Sequence, residues 1–303
     1  MKKIAVVGSL NMDYFAETDQ FPAAGETVMG RDFFMSLGGK GANQAIAAAR
    51  LGGRVSMFGS IGNDENSRLV REKMLSENVD ITGLQQADIH TGVAFIEISH
   101  SDNRIIVIPG ANQHTDIHYI ERVADSLLGH DIIVFQLETP LSMLEHIVPR
   151  LHEKGKVIIL NPAPAQKLSP ELVGQLTYLT PNEHEYKMVL STDETKEEAL
   201  ARYPEKLVIT CGTEGVKFHD GQGIVHIPAL KVKAEDTTGA GDTFCGAMAV
   251  GLSEGWALEE SIRFGSAAAG LSVRKKGAQT GMPARAELDA YLKGGKPDGA
   301  GSF

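Results

Sequence analysis

Short runs of β-branched and aliphatic residues alternate along the chain with stretches whose apolar positions recur every three to four residues. The runs at 3–9, 55–61, 131–136, 156–160, 178–180 and 207–210 are apolar without alternation, the pattern of strands covered on both faces. Between them, 42–50, 65–77, 116–128, 141–154 and 182–190 predict helices. Strand–helix alternation over this length predicts right-handed βαβ units on a mainly parallel sheet, with ligands at the carboxyl ends of the strands.

Two segments break the rhythm. Residues 14–37 lack a helical period and carry the turn Pro22-Ala23-Ala24-Gly25. Residues 91–99 alternate apolar and polar positions, and a further strand at 104–109 follows the turn Ser101-Asp102-Asn103. Period-2 alternation implies one solvated face. These segments, about 13–37 and 91–110, are expected to form a small second sheet inserted in one α/β domain spanning 1–303, either a lid or an edge extension. Residues 239–273 look helical, with another helix at 284–292, and the Gly-, Lys- and Pro-rich tail 293–303 is expected to fray.

Composition narrows the class. The 303 residues are 42% hydrophobic and 22% charged, enough apolar material for a sizeable core. A net charge of −10 argues against a surface that grips nucleic acid or anionic lipid. Two cysteines, Cys211 and Cys245, make no disulfide framework and suit a reducing compartment. The start Met1-Lys2-Lys3 has the basic opening of a signal peptide, but the apolar run breaks at Gly8, so it reads as the first strand. A soluble, cytoplasmic protein with no nucleic-acid or membrane partner is expected.

Four constellations offer chemistry. In Asp236-Thr237-Thr238-Gly239-Ala240-Gly241-Asp242-Thr243-Phe244, small residues lead into a helix, 243–252. Glycines let backbone amides approach a ligand, and a helix N-terminus presents unpaired donors suited to a transferring phosphoryl group. Asp242 is placed to take a proton from an attacking hydroxyl, or simply to cap the helix. Gly38-Gly39-Lys40-Gly41-Ala42-Asn43 leads into an Ala-rich helix and offers donors for hydroxyls or an anion, or a plain strand-to-helix turn. Asn11 and Asp13, after the first strand, suit a polyol, although a turn or cap explains each singly. Pro181-Asn182-Glu183-His184-Glu185 is ordinary helix-start grammar or a carboxylate beside magnesium and phosphate. Neither G-x-x-x-x-G-K-[ST] nor G-x-G-x-x-G is present, so a nicotinamide oxidoreductase is disfavoured. His114 and His118 lack the H-E-x-x-H of a zinc site.

Together these motifs resemble the ribokinase (PfkB-type) family of sugar and nucleoside kinases, nearly end to end. The first signature stands as Gly8-Ser9-Leu10-Asn11-Met12-Asp13, Pro22-x-x-Gly25-Glu26-Thr27 and Gly38-Gly39-Lys40-Gly41-Ala42-Asn43, the second as Asp236 to Phe244. Gln136-Leu137-Glu138, Pro109-Gly110-Ala111-Asn112, Asn161-Pro162-Ala163-Pro164-Ala165 and Thr180-Pro181-Asn182-Glu183 are also ribokinase-like.

The resemblance implies a doubly wound, three-layer α/β/α fold with a β-sheet lid often used in dimerisation, and ATP-dependent phosphorylation of a sugar's primary hydroxyl. It matches Asn11, Asp13, Gly39, Lys40, Gly41, Asn43 and Glu138 to the sugar, Asp242 to the catalytic base, and the Gly239, Ala240 and Gly241 amides to the anion hole. Asn182 and Glu185 match an element associated with magnesium and phosphate, and Thr210, Gly212, Gly215, Gly241 and Ser266 the nucleotide side. A potassium site is implied at Asp236, Thr238, Ser272, Lys275, Gly277 and Gly281, where Gly281 departs from the serine common in the family. Ribose is the expected sugar. The alternatives are 2-deoxyribose, fructose or another ketose, a nucleoside, and a non-catalytic sugar sensor. Met12 either tunes sugar selectivity or points into the core.

Overall fold

The computed structural model describes residues 1–100 and 102–294. The chain runs β1 (Lys3–Val7), β2 (Asn11–Thr18), β3 (Gly30–Gly38), α1 (Lys40–Arg50), β4 (Arg54–Ile61), α2 (Glu65–Ser76), β5 (Asp80–Gln86), β6 (Gly92–Ser99), β7 (Asp102–Ile108), α3 (Ile117–Leu128), β8 (Ile132–Phe135), α4 (Leu141–Glu153) and β9 (Val157–Leu160). It continues through α5 (Pro170–Gln175), β10 (Tyr178–Leu179), α6 (Tyr186–Leu190), α7 (Lys196–Arg202), β11 (Val208–Thr210), β12 (Val216–His219), β13 (Ile224–Ile227), α8 (Ala240–Ser253), α9 (Leu258–Ser272) and α10 (Arg285–Leu292).

The apolar runs become a parallel sheet in the order β10-β9-β8-β1-β4-β5, wound outward in both directions from β1. Successive side chains of a strand point to opposite faces, and β1 shows the three layers directly. Ile4 and Val6 pack with Ala45, Ala247, Val250 and Ala268 of α1, α8 and α9, whereas Ala5 and Val7 pack with Ile120 and Ile147 of α3 and α4. Contact between α1 and α8 is close because Gly246 has no side chain: a Cβ there would lie 2.7 Å from the Gln44 carbonyl. Beyond β10, bridges at Leu179–Leu207 and Asn182–Thr210 lead to an antiparallel sheet, β11-β12-β13.

A separate sheet, β3-β2-β6-β7, begins at Asn11, immediately after the first strand's loop. The expected α/β/α architecture with a small β-sheet lid is thus borne out. The expected single wet face is not. The outer strand β7 is exposed along its length, and Phe33, Phe34, Ile105 and Ile106 expose apolar surface on both faces of this sheet. Met12 lies in the main core, not toward a substrate.

Two predicted helices are corrected. The helix expected at 182–190 starts only at Tyr186, because the Asn182 side-chain oxygen accepts from the His184 and Glu185 amides at 2.8 and 2.9 Å and holds a turn instead. The helical stretch 239–273 divides into α8 and α9, since Gly255, at φ +86°, takes the left-handed conformation that ends α8. Ser101 of the predicted turn and 295–303 of the predicted tail lie outside the described residues. Among the described residues, no helix is long and apolar enough to cross a membrane.

Candidate active site

The site is assembled where β1 ends and α1 and α8 begin. Gly39 precedes α1 at φ +86°, a conformation that a side chain would strain. A Cβ on Gly41 would fall 2.6 Å from the Ser9 amide, so helix and loop touch backbone to backbone. Glu138 clamps this junction: its Oε2 accepts from the Lys40 amide at 3.0 Å and from the Ser9 hydroxyl at 2.5 Å. The Asn11 side-chain oxygen accepts from Asn112 Nδ2 at 2.7 Å. Asp13 is half-buried, with its carboxylate folded over Gly38. Burial, with the Glu138 carboxylate added, pushes its carboxyl up to about 7.

Asp242 sits in the first turn of α8, 5% exposed. Its Oδ2 accepts from Asn43 Nδ2 and its Oδ1 from Gln44 Nε2, both at 3.0 Å. Burying an ionised carboxylate costs several kcal/mol. Two such donors, each contributing ~1.5–3 kcal/mol, offset much of that. The Lys40 ammonium is the compensating charge: Asp242 holds its pKa above the ordinary value against the opposing effect of burial, with Glu138 and Glu185 adding to the rise.

Lys40, Glu185, Gly239, Gly241 and Asp242 line a cavity of about 220 Å³. A larger cleft of about 420 Å³ shares Asn182, Thr210, Thr237 and Gly241 with it and extends past Gly212, Gly215 and Ser266 to the apolar side chains of Val216, Leu230 and Val232. At their meeting point stands the N-terminus of the 14-residue α8. Its first amides lack intrahelical partners, although the Ala240 amide donates to the Thr237 carbonyl at 3.2 Å, and the space in front of the Gly241 Cα is open. A polar chamber joined to an apolar cleft at a helix N-terminus suits a ligand with an anionic end and an apolar end.

Glu185 places a half-buried carboxylate on the smaller cavity, with its Oε2 accepting from the Asn182 amide at 2.8 Å. One hard oxygen donor on a polar cavity fits magnesium, which keeps most of its waters.

The residues matched to potassium lie on two adjoining loops, except Ser272, which is the last residue of α9. Asp236 accepts from the Thr238 amide at 2.9 Å and from the Gly277 amide at 2.8 Å. Burial raises the Asp236 pKa, but the Thr238 side chain, these two amides and the Lys276 charge together outweigh it and hold the carboxyl below its ordinary range. Gly281 packs so closely on the Ser272 carbonyl that a Cβ would come within 1.9 Å of that oxygen. The Lys275 side chain, by contrast, is exposed.

Sequence reasoning did not single out Gln44 or Gln279 for the site. Gln44 binds Asp242 directly, and Gln279 donates to Asn43 Oδ1 at 2.9 Å. Neutral amides carry no spacing signature. The one available signal was position, since Gln44 follows Asn43 inside the glycine-rich motif.

Residues 1–285 match the family model of pfkB family carbohydrate kinases, and the chain belongs to that family. The ribokinase of Lactococcus lactis subsp. lactis (strain IL1403) is 42% identical over 294 residues, covering 97% of this chain and 98% of the relative. Among solved structures, the ribokinase of Thermotoga maritima aligns with a TM-score of 0.90 at 38% identity, covering 97% of this chain and all of that one. The Arabidopsis thaliana ribokinase complexed with ribose and ATP aligns at 0.86 and 29% identity, covering 96% and 99%.

Proposed function

We propose that this protein transfers the γ-phosphoryl group of ATP to the primary O5 hydroxyl of D-ribose, giving ribose 5-phosphate and ADP. The observation that carries the reading is the buried Asp242 carboxylate, set between the Lys40–Glu138 corner and the two-part cleft at the start of α8. Similarity to ribokinases over nearly the whole chain supports ribose as the acceptor.

In this mechanism the furanose hydroxyls bind Asn11, Asp13 and Asn43, and the apolar cleft takes the adenine. Asp242 accepts the O5 proton as O5 bonds to the γ-phosphorus and the bridging bond to the β-phosphate breaks. The Gly239, Ala240 and Gly241 amides and the Lys40 ammonium meet the charge on the transferring group, so catalysis is chiefly positioning and electrostatics. Bound magnesium neutralises phosphate charge, and Glu185 with Asn182 would hold its water shell. Potassium would be held by the Asp236, Thr238, Ser272, Lys275, Gly277 and Gly281 loops and supply fixed positive charge near the anion hole. Two copies of the chain would pair through the small sheet. The two free, buried cysteines suit a reducing cytoplasm.

A coupled ADP-release assay over a sugar panel tests this reading. Turnover is expected to be highest with D-ribose; 2-deoxyribose, fructose or a nucleoside leading the panel would reassign the acceptor, and sugar-induced stabilisation without ADP release would make the protein a sensor. Asp242→Asn should lower kcat by ~10²–10⁴-fold while ATP still binds. Near-parental turnover would remove Asp242 from the base role.

A further inference from the structure

Asp242 is held by a chain of amides rather than by two isolated ones. Asn43 Oδ1 accepts from Gln279 Nε2 at 2.9 Å, on the far side of the amide whose nitrogen serves Asp242 Oδ2. Gln44 Oε1 accepts from Gln136 Nε2 at 2.7 Å, on the far side of the amide serving Asp242 Oδ1. The second Gln44 hydrogen goes to Asn161 Oδ1 at 3.2 Å, and Asn161 Nδ2 donates to the Thr180 carbonyl at 3.1 Å. All five amides are buried.

An ionised carboxylate only accepts hydrogen bonds. Asn43 and Gln44 must therefore turn their nitrogens toward it and their oxygens away, and those oxygens require donors behind them. Gln279 and Gln136 supply these donors. Without them, a rotated Asn43 or Gln44 amide would set a carbonyl oxygen against the carboxylate. Gln136 does this at a cost, since its own Oε1 is buried without a hydrogen-bond partner and lies against Gly8. An apolar side chain of the same size would avoid that cost, so what the amide adds is the donor. Gln279 is itself pinned, because Arg50 at the end of α1 donates to the Gln279 carbonyl and to the Met282 carbonyl.

We propose that Gln279 and Gln136 are positioning residues for phosphoryl transfer: each orients the amide that donates to one oxygen of Asp242 and so keeps the base aimed. The inference rests on Asp242 being the base. It is tested on the full-length protein with Gln279→Met and Gln136→Met, which preserve volume but remove the donor, using D-ribose, ATP and magnesium. Each variant is expected to lose about tenfold in kcat and to shift the acid limb of the kcat–pH profile upward by about one unit, because a lost donor favours the protonated carboxyl. The KM for ATP should stay within about twofold. The other titratable groups around Asp242, namely Lys40, Glu138, Glu185 and Cys245, are unchanged by either substitution.

Circular dichroism and ATP binding establish that the variants fold. Gln279→Glu is a further probe on the same oxygen should Gln279→Met misfold: its carboxylate would turn Asn43 the wrong way and displace the limb at least as far. Folded variants with the parental acid limb and kcat would overturn the proposal. If those variants are parental while Asp242→Asn is inactive, only the positioning role fails. If Asp242→Asn turns over normally, the base reading fails and the positioning role with it.

Discussion

Burial and the neighbouring Glu138 carboxylate push the Asp13 carboxyl up to about 7, which places the titration of a residue matched to the sugar near neutral pH. Its ionised form accepts from vicinal hydroxyls, so the KM for ribose should rise as pH falls below 7, and Asp13→Asn should abolish that dependence. Stability runs the other way. A carboxyl whose pKa in the fold exceeds its unfolded value favours folding while protonated; that contribution is complete below about 3.8 and lost as pH rises through about 7. Thermal melts of Asp13→Asn should therefore show a higher Tm than the parent above neutrality and no difference in strong acid. A variant that melts lower in mild alkali would show that Asp13 stabilises the empty fold as a carboxylate.

The strands and helices best anticipated from sequence are those with the plainest patterns. The two-sided burial of β1, β8 and β9 was written in unbroken apolar runs, and α1 in its alanines. Strand β5 was missed because Asp-Ile-Thr-Gly-Leu-Gln-Gln is half-exposed and follows no clean period. The short strands β12 and β13 pair only with each other and β11, through local contacts that no long apolar run announces. Glycine-rich motifs revealed the loops of the site. Its side-chain network stayed hidden because Gln44, Gln136 and Gln279 meet only after the sheet has wound both ways. At this scale the 235–238 and 273–281 loops, joined through Asp236, make a prediction: activity should be higher in potassium than in sodium or choline buffer. Equal rates in all three would remove the cation from the scheme.

As a whole, the protein leaves its small sheet with more apolar surface than a monomer needs. Phe33 and Ile106 are 61% and 63% exposed, on strands at opposite edges. Exposed apolar patches of this kind mark interaction sites, and pairing of two copies through them is our reading. Sedimentation should then give a dimer that Ile106→Asp or Phe33→Asp converts to a monomer; a parental chain that sediments as a monomer at micromolar concentration would refute it. The same sheet begins at Asn11 and passes Asp13, its paired strand β3 runs back to Gly38, and Lys276 reaches across to Glu17 at 2.6 Å. Its eight-residue strand β2 is about 26 Å long at the usual rise per residue. Hinged at its root, such a lever would sweep its tip through about 4–5 Å for each 10° of swing. A sugar held at Asn11 and Asp13, as proposed, would rest at the fulcrum, where an ångström of adjustment around one hydroxyl becomes a displacement several times larger at the tip.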